Sequence, residues 1–187
     1  MPKLHIKNMV CHRCINSVRD TLMAMNIPYN AIQLGEVELV HPLSENQKIA
    51  FAEQLQLLGF KLLDSAESQL INAIKTYIVE MIHHGKHATD TNISNALAQH
   101  LHKDYSALSK LFSKVEGITI ERYILHQKVE KVKELLSYGE QTISEIAFEM
   151  NYSSSAHLSN QFKKVTGMTP TQFKKLKTNT RKALDHI

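Results

Sequence analysis

Cysteine is scarce in this 187-residue chain, which has only Cys11 and Cys14. Disulfide-stapled secreted folds are thereby excluded, because they are dense in cysteine and serve chains too short to build a core. Long apolar runs are lacking too. The stretch around Ile78 to Ile82 is broken by charge well short of the roughly 18 to 20 residues that a bilayer crossing needs, so no transmembrane helix is expected. The opening Met1-Pro2-Lys3-Leu4-His5-Ile6-Lys7 alternates polar and apolar side chains and lacks the basic patch and continuous apolar run of a signal peptide. The expected location is therefore the cytoplasm, where thiols are kept reduced, and Cys11 and Cys14 call for a reading other than a structural disulfide.

What is present is an ordinary globular composition, 43% hydrophobic, with charge unevenly spread. Residues 1–67 hold six Lys/Arg and seven Asp/Glu, which leaves sixteen basic and eleven acidic residues for the remainder. The later part is the candidate for a polyanionic partner.

That part contains an internal repeat. Leu108-Ser109-Lys110-Leu111-Phe112-Ser113-Lys114-Val115-Glu116-Gly117-Ile118-Thr119 returns fifty residues later as Leu158-Ser159-Asn160-Gln161-Phe162-Lys163-Lys164-Val165-Thr166-Gly167-Met168-Thr169, with seven of twelve positions identical. Upstream, Leu97-Ala98 with Leu101 matches Ile146-Ala147 with Met150 at an offset of forty-nine, so one copy has a turn longer by a residue. Two copies make a duplicated small motif and fall short of a solenoid, which needs three or more units.

Each copy reads as helix, tight turn, helix. In the second, Thr142 and Glu145 have capping-box spacing, and Ile146, Ala147 and Met150 mark one face of a helix of about two turns. Asn151 stands at the sharp reversal, and Ser153 or Ser154 can cap a second helix carrying Leu158, Phe162 and Val165 up to Gly167. The first copy repeats this with Leu97, Ala98 and Leu101, a turn at His102-Lys103-Asp104, and then Leu108, Leu111, Phe112 and Val115 up to Gly117. Further helices open at Thr119 and at Thr169-Pro170, where Thr serves as N-cap and Pro as first helical residue. The helix from Thr119, of about 18 residues and some 27 Å, can act as a strut. Consecutive major-groove segments on one face of B-DNA lie roughly 34 Å apart, so two units on such a strut could enter adjacent turns and a monomer could read an asymmetric site.

The stretch Ile143 to Ser153, continued by His157 to Pro170, closely resembles the signature of the AraC/XylS transcription regulators. With the first unit and the amphipathic helix around Leu70 to Ile82, the likeness covers roughly residues 68–178. His102 and Asn151 stand where that family usually has Gly, and the connection from His83 to Asn92 is longer and richer in His. The resemblance implies that the exposed face of each recognition helix enters the major groove. Carried over by position, that face is Tyr105, Ser106, Ser109 and Lys110 in the first unit, and Ser155, Ala156, Ser159 and Asn160 in the second. Asn can pair with adenine, Lys can reach guanine acceptors, and Ala can touch a thymine methyl. Lys114, Lys163 and Lys164 suit phosphates, which position a protein without reading sequence.

The first 66 residues follow another pattern. Leu4, Ile6 and Asn8 form a strand, Ile15, Val18, Leu22 and Met25 fall at helical spacing, and residues 31–34 and 36–40 flank Gly35 as a hairpin. A helix from about Glu45 to Leu58 and a short strand from Phe60 to Leu63 complete a βαββαβ order, that of the ferredoxin-like split unit. Asn8-Met9-Val10-Cys11-His12-Arg13-Cys14 with Leu58-Gly59-Phe60 resembles heavy-metal-associated domains, with Asn8 in place of the usual Gly before the Met. Two thiols at a helix N-terminus, beside Arg13, are expected to have a lowered thiol pKa and to suit Cu(I) or another soft metal ion. Zn(II) would need further ligands, such as His12, His5 or a second subunit. Met9 reads as core. His83, His84 and His87 read as a solvated loop.

The expected fold class is thus α+β: a ferredoxin-like domain (1–66), an all-α domain with two helix-turn-helix units (67–178) and a tail (179–187). The expected function is a sequence-specific DNA-binding regulator controlled by a metal ion or another signal, with double-stranded DNA as partner, no membrane, and a homodimer left open. The competing classes are a thiol redox-responsive regulator and a metal-delivery protein with a helical docking domain. No acid or nucleophile partners the histidines in sequence, so no enzyme is expected. A thioredoxin-type oxidoreductase is disfavoured by the missing Trp before the cysteine pair and by the strand order.

Overall fold

The computed structural model describes residues 2–63, 66–85, 93–176 and 184. The expected tail, apart from Leu184, and His87 lie outside the described residues. The chain combines a small antiparallel sheet with many helices and divides into two compact units, Met1–Tyr77 and Ile78–Ile187.

The N-terminal unit runs β1 (Lys3–Lys7), α1 (His12–Ala24), β2 (Tyr29–Gln33), β3 (Glu36–Leu39), α2 (Glu45–Leu57) and β4 (Lys61–Leu63), followed by α3 (Ala66–His83). The strands lie in the order β2-β3-β1-β4, with every adjacent pair antiparallel. Period-two alternation in β1 and β3 turns Ile6, Val37 and Leu39 to one face, where Val18 and Leu22 of α1 and Phe51 and Leu55 of α2 meet them. All seven are fully buried, and Met9 joins this core as expected. Ser44 and Gln47 fix the start of α2 by a reciprocal capping box.

Gly35 closes the β2–β3 hairpin at φ +78°, and a Cβ there would lie 2.8 Å from Asn72 Nδ2 and 2.9 Å from Thr76 Oγ1. Asn72 is itself buried and donates to the Ile6 carbonyl at 3.2 Å. The first part of α3 therefore belongs to this unit, and the division between the units falls inside α3 rather than at the domain boundary expected at residue 66.

The second unit continues with α4 (Ile93–His100), α5 (Tyr105–Glu116), α6 (Ile120–Tyr138), α7 (Ile143–Glu149), α8 (Ser155–Thr166) and α9 (Pro170–Lys174). At 19 residues α6 is about 28 Å long. Val129, Val132 and Leu136 on it pack with Ile146, Ala147, Met150, Leu158, Phe162 and Phe173 in one cluster. Polar groups buried on α6 are partnered. Lys133 and Glu130 pair at 2.6 Å, while Gln127 donates to the Tyr123 hydroxyl at 3.0 Å and accepts from His83 Nε2 at 2.9 Å.

Candidate nucleic-acid interface

The two helix pairs share one turn, bond for bond. In the first, Leu101, His102 and Lys103 donate backbone N–H groups to the carbonyls of Leu97, Gln99 and Ala98. In the second, Met150, Asn151 and Tyr152 donate to Ile146, Phe148 and Ala147, each position shifted by forty-nine. His102 (φ 50°) and Asn151 (φ 54°) both take the left-handed conformation that the reversal demands. Asp104 and Ser154 then cap α5 and α8 through bonds to the N–H of Ala107 and His157. Because the caps are fifty residues apart, the extra residue lies between the left-handed residue and the cap.

The remaining boundaries repeat too. Both helices end on a left-handed glycine, Gly117 at φ 71° and Gly167 at φ 81°. Thr119 and Thr169 cap the helices that follow. Phe112 meets Tyr123, and Phe162 meets Phe173, each at 5.5 Å between ring centroids. The capping box of Thr142 and Glu145 is formed in full.

Burying Leu108 and Phe112 leaves Ser106, Lys110 and Lys114 exposed on α5, with Tyr105 and Ser109 partly so. On α8, with Leu158 and Phe162 buried, Ala156, Asn160, Lys163 and Lys164 are exposed, and Ser155 and Ser159 partly so. All eleven positions therefore carry solvent-accessible surface. Two are already engaged: Ser106 donates to the capping carboxylate of Asp104, which holds that carboxyl below its usual range, and the Tyr105 hydroxyl donates to Glu121 of α6.

Sequence reasoning missed the groups that join these helices to α6. Lys128 donates to the Met150 carbonyl at 3.0 Å and lies 5.3 Å from the centre of the Tyr152 ring, and burial lowers its pKa. Burial in turn pushes the Tyr152 phenol up to about 12. His157 bonds Ser153 and Gln161 and meets Tyr152 edge-on. His83 ends α3 instead of lying in the expected solvated loop, and burial lowers its pKa to about 4. No sequence signal marks the partners of Lys128 and His83, because packing joins them across 22 and 44 residues.

In the N-terminal unit, Cys11 caps α1, and its Sγ lies 3.6 Å from that of Cys14. Asn8 takes the left-handed region at φ 74°, and its amide donates to the Gly59 carbonyl at 2.9 Å. The expectation of a lowered thiol pKa is corrected at Cys14: desolvation outweighs the backbone hydrogen bonds at the helix start and raises it. Among the described residues, no group of three or more His, Cys, Asp or Glu side chains gathers as a metal cluster. Also among them, no helix is long and apolar enough to cross a membrane.

Comparison with known proteins bears on the helical part. A family model described as "Helix-turn-helix domain" matches residues 97–176. The Msm operon regulatory protein of Streptococcus mutans is 26% identical over 171 residues, which is 90% of this chain and 59% of that protein. The melibiose operon regulatory protein of Escherichia coli is 30% identical over 87 residues, 46% of this chain and 29% of that protein. The chain thus spans less than two thirds of either relative. Among solved structures, the C-terminal domain of AraT, a response regulator from Geobacillus stearothermophilus, aligns over 63% of this chain and 95% of its own at TM-score 0.52 and 24% identity, a likeness of fold. The C-terminal part of this chain, residues 97–176, thus resembles helix-turn-helix domains in sequence and in fold.

Proposed function

We propose that this chain is a cytoplasmic, sequence-specific transcription regulator that binds double-stranded DNA through α5 and α8. The observation that carries this reading is the duplicated turn geometry, which presents two recognition helices with matched buried faces and different exposed ones. Base contacts fall to Tyr105, Ser106, Ser109 and Lys110 in one groove and to Ser155, Ala156, Ser159 and Asn160 in the next. Lys114, Lys163 and Lys164 take phosphates. A duplex shift measured across a salt series tests it. Neutralising several phosphates makes affinity fall steeply as salt rises, and a chain that gives no salt-dependent shift of any duplex is not this regulator.

The N-terminal unit, with its strand order β2-β3-β1-β4, is read as a ferredoxin-like unit that senses a soft metal ion held by Cys11 and Cys14. Two thiols 3.6 Å apart, with no third ligand gathered among the described residues, suit a thiolate-preferring ion such as Cu(I) better than Zn(II), which wants four ligands. Such an ion would supply a fixed link between the loop after β1 and the start of α1. The same sulfur separation favours a second reading, a reversible disulfide switch. Equilibrium dialysis with Cu(I), Ag(I) and Zn(II), on the wild type and on a Cys11→Ser/Cys14→Ser variant, separates them. Metal sensing requires uptake of Cu(I) or Ag(I) that the double variant loses.

A further inference from the structure

A groove of about 670 Å³ lies between the first half of α6 and α8. Apolar Ile124, Leu125 and Val165 line it together with polar residues that include Arg122 and Lys164. Tyr152 also lines it, with Lys128 and His157 packed against its ring. Lys128 is committed to the Met150 carbonyl. Among the described residues, the Arg122 guanidinium and the Lys164 ammonium have no ion-pair partner, and both residues are exposed.

The groove's position gives this pair of cations its meaning. Glu121, next to Arg122 in the lining, accepts from the hydroxyl of Tyr105 on the exposed side of α5. Lys164 lies one helical turn from Asn160 on the exposed side of α8. The groove therefore adjoins both proposed base-reading surfaces. When two reading helices enter successive major grooves on one face of B-DNA, the minor groove and its two phosphate strands pass between them. Deoxyribose is an apolar ring beside an anion, and apolar side chains lining a groove with two uncommitted cations match that pairing. The Glu121 carboxylate also lines the groove, and it accepts a hydrogen bond from Tyr105.

We propose that this groove holds a sugar-phosphate strand of DNA where the duplex crosses between α5 and α8, with Arg122 and Lys164 as phosphate ligands and the apolar side chains against deoxyribose. The inference rests on the DNA-binding reading above and adds to it a grip that belongs to the strut and is absent from either helix-turn-helix alone. The first repeat has Ala107 and Leu111 where the groove has His157 and Gln161, so the site is not duplicated.

The test uses the full chain, a duplex that the wild type selects from a random pool, and an unrelated duplex of equal length. Affinity for both is followed across a salt series. Arg122→Gln/Lys164→Gln should reduce the slope of log K against log salt by about 1.8, or 0.9 per phosphate. It should also weaken both duplexes by the same factor and leave the base preferences unchanged. Arg122→Lys should keep the wild-type slope. An unchanged slope in the double variant, or a loss confined to the selected duplex, overturns the proposal while leaving DNA binding intact. So does tight binding of inorganic phosphate by DNA-free wild type that the double variant loses, since this would assign the groove to a soluble anion. Wild type without salt-dependent duplex binding fails the underlying reading instead.

Discussion

The two helix-turn-helix copies share the residues that fill much of the core and end the helices, and they differ at several positions that meet solvent. Leu108 and Leu158, Phe112 and Phe162, Gly117 and Gly167, and Thr119 and Thr169 are identical pairs, and the backbone bonds of the two turns superimpose in pattern. Outside the core the chemistry has changed: Lys110 corresponds to Asn160, Ser106 to Ala156, and Ala107 to His157. A close-packed interior and a left-handed turn accept few alternatives, whereas a wet helix face is free to vary. The copies are one scaffold with two reading surfaces, suited to an asymmetric site.

The comparison can be broken most forcefully at the buried rings. Phe112→Ala and Phe162→Ala should each cost about 3 to 5 kcal/mol in denaturant unfolding, with values agreeing within about 1 kcal/mol, because each ring is fully buried against one aromatic partner. Clearly unequal losses would mean that the two cores are not equivalent.

Next comes the strut between the copies. Burial keeps His83 neutral and holds its folded pKa near 4, below its ordinary value, so the stability it contributes is full above about pH 6.5. As pH falls from there toward 4, the unfolded chain takes up the proton first, and the second unit should lose roughly 3 kcal/mol. His83→Gln, which can still donate to Gln127, should flatten that part of the stability profile; an equally steep decline in the variant would place the cause elsewhere.

The reading surfaces sharpen the comparison at a smaller scale. Lys110→Ala and Asn160→Ala should each weaken binding to a selected duplex by about 1 to 3 kcal/mol and relax preference in different grooves. Wild-type affinity in both variants would remove these residues from the interface.

The smallest effect concerns the turns. Glycine adopts the left-handed region without strain and asparagine with little, so His102→Gly should stabilise by up to about 1 kcal/mol and Asn151→Gly by less. The reverse order would show that His102 gains more from its neighbours than its backbone loses.

Much of this was legible beforehand, for local reasons. Caps at Thr119, Thr142, Ser154 and Thr169, the glycine stops and the reversals at His102 and Asn151 rest on side chains acting within four residues of themselves. The hairpin at Gly35 and the helix carrying Val18 and Leu22 were legible for the same reason. The Cys14 thiol was not, because burial by the surrounding fold overrides the local effect of the helix start.

The amino-acid order alone settled the repeat, its helix boundaries, the period of each buried face and the unevenness of charge, since these depend on neighbours along the chain. Folding alone decided that Asn72 reaches back to the Ile6 carbonyl and that His83 joins Gln127 and Tyr123. It alone also brought Arg122 and Lys164 into the lining of one groove. Those pairings span tens of residues, and desolvation and hydrogen-bond geometry at such separations are created by packing, which no local pattern encodes.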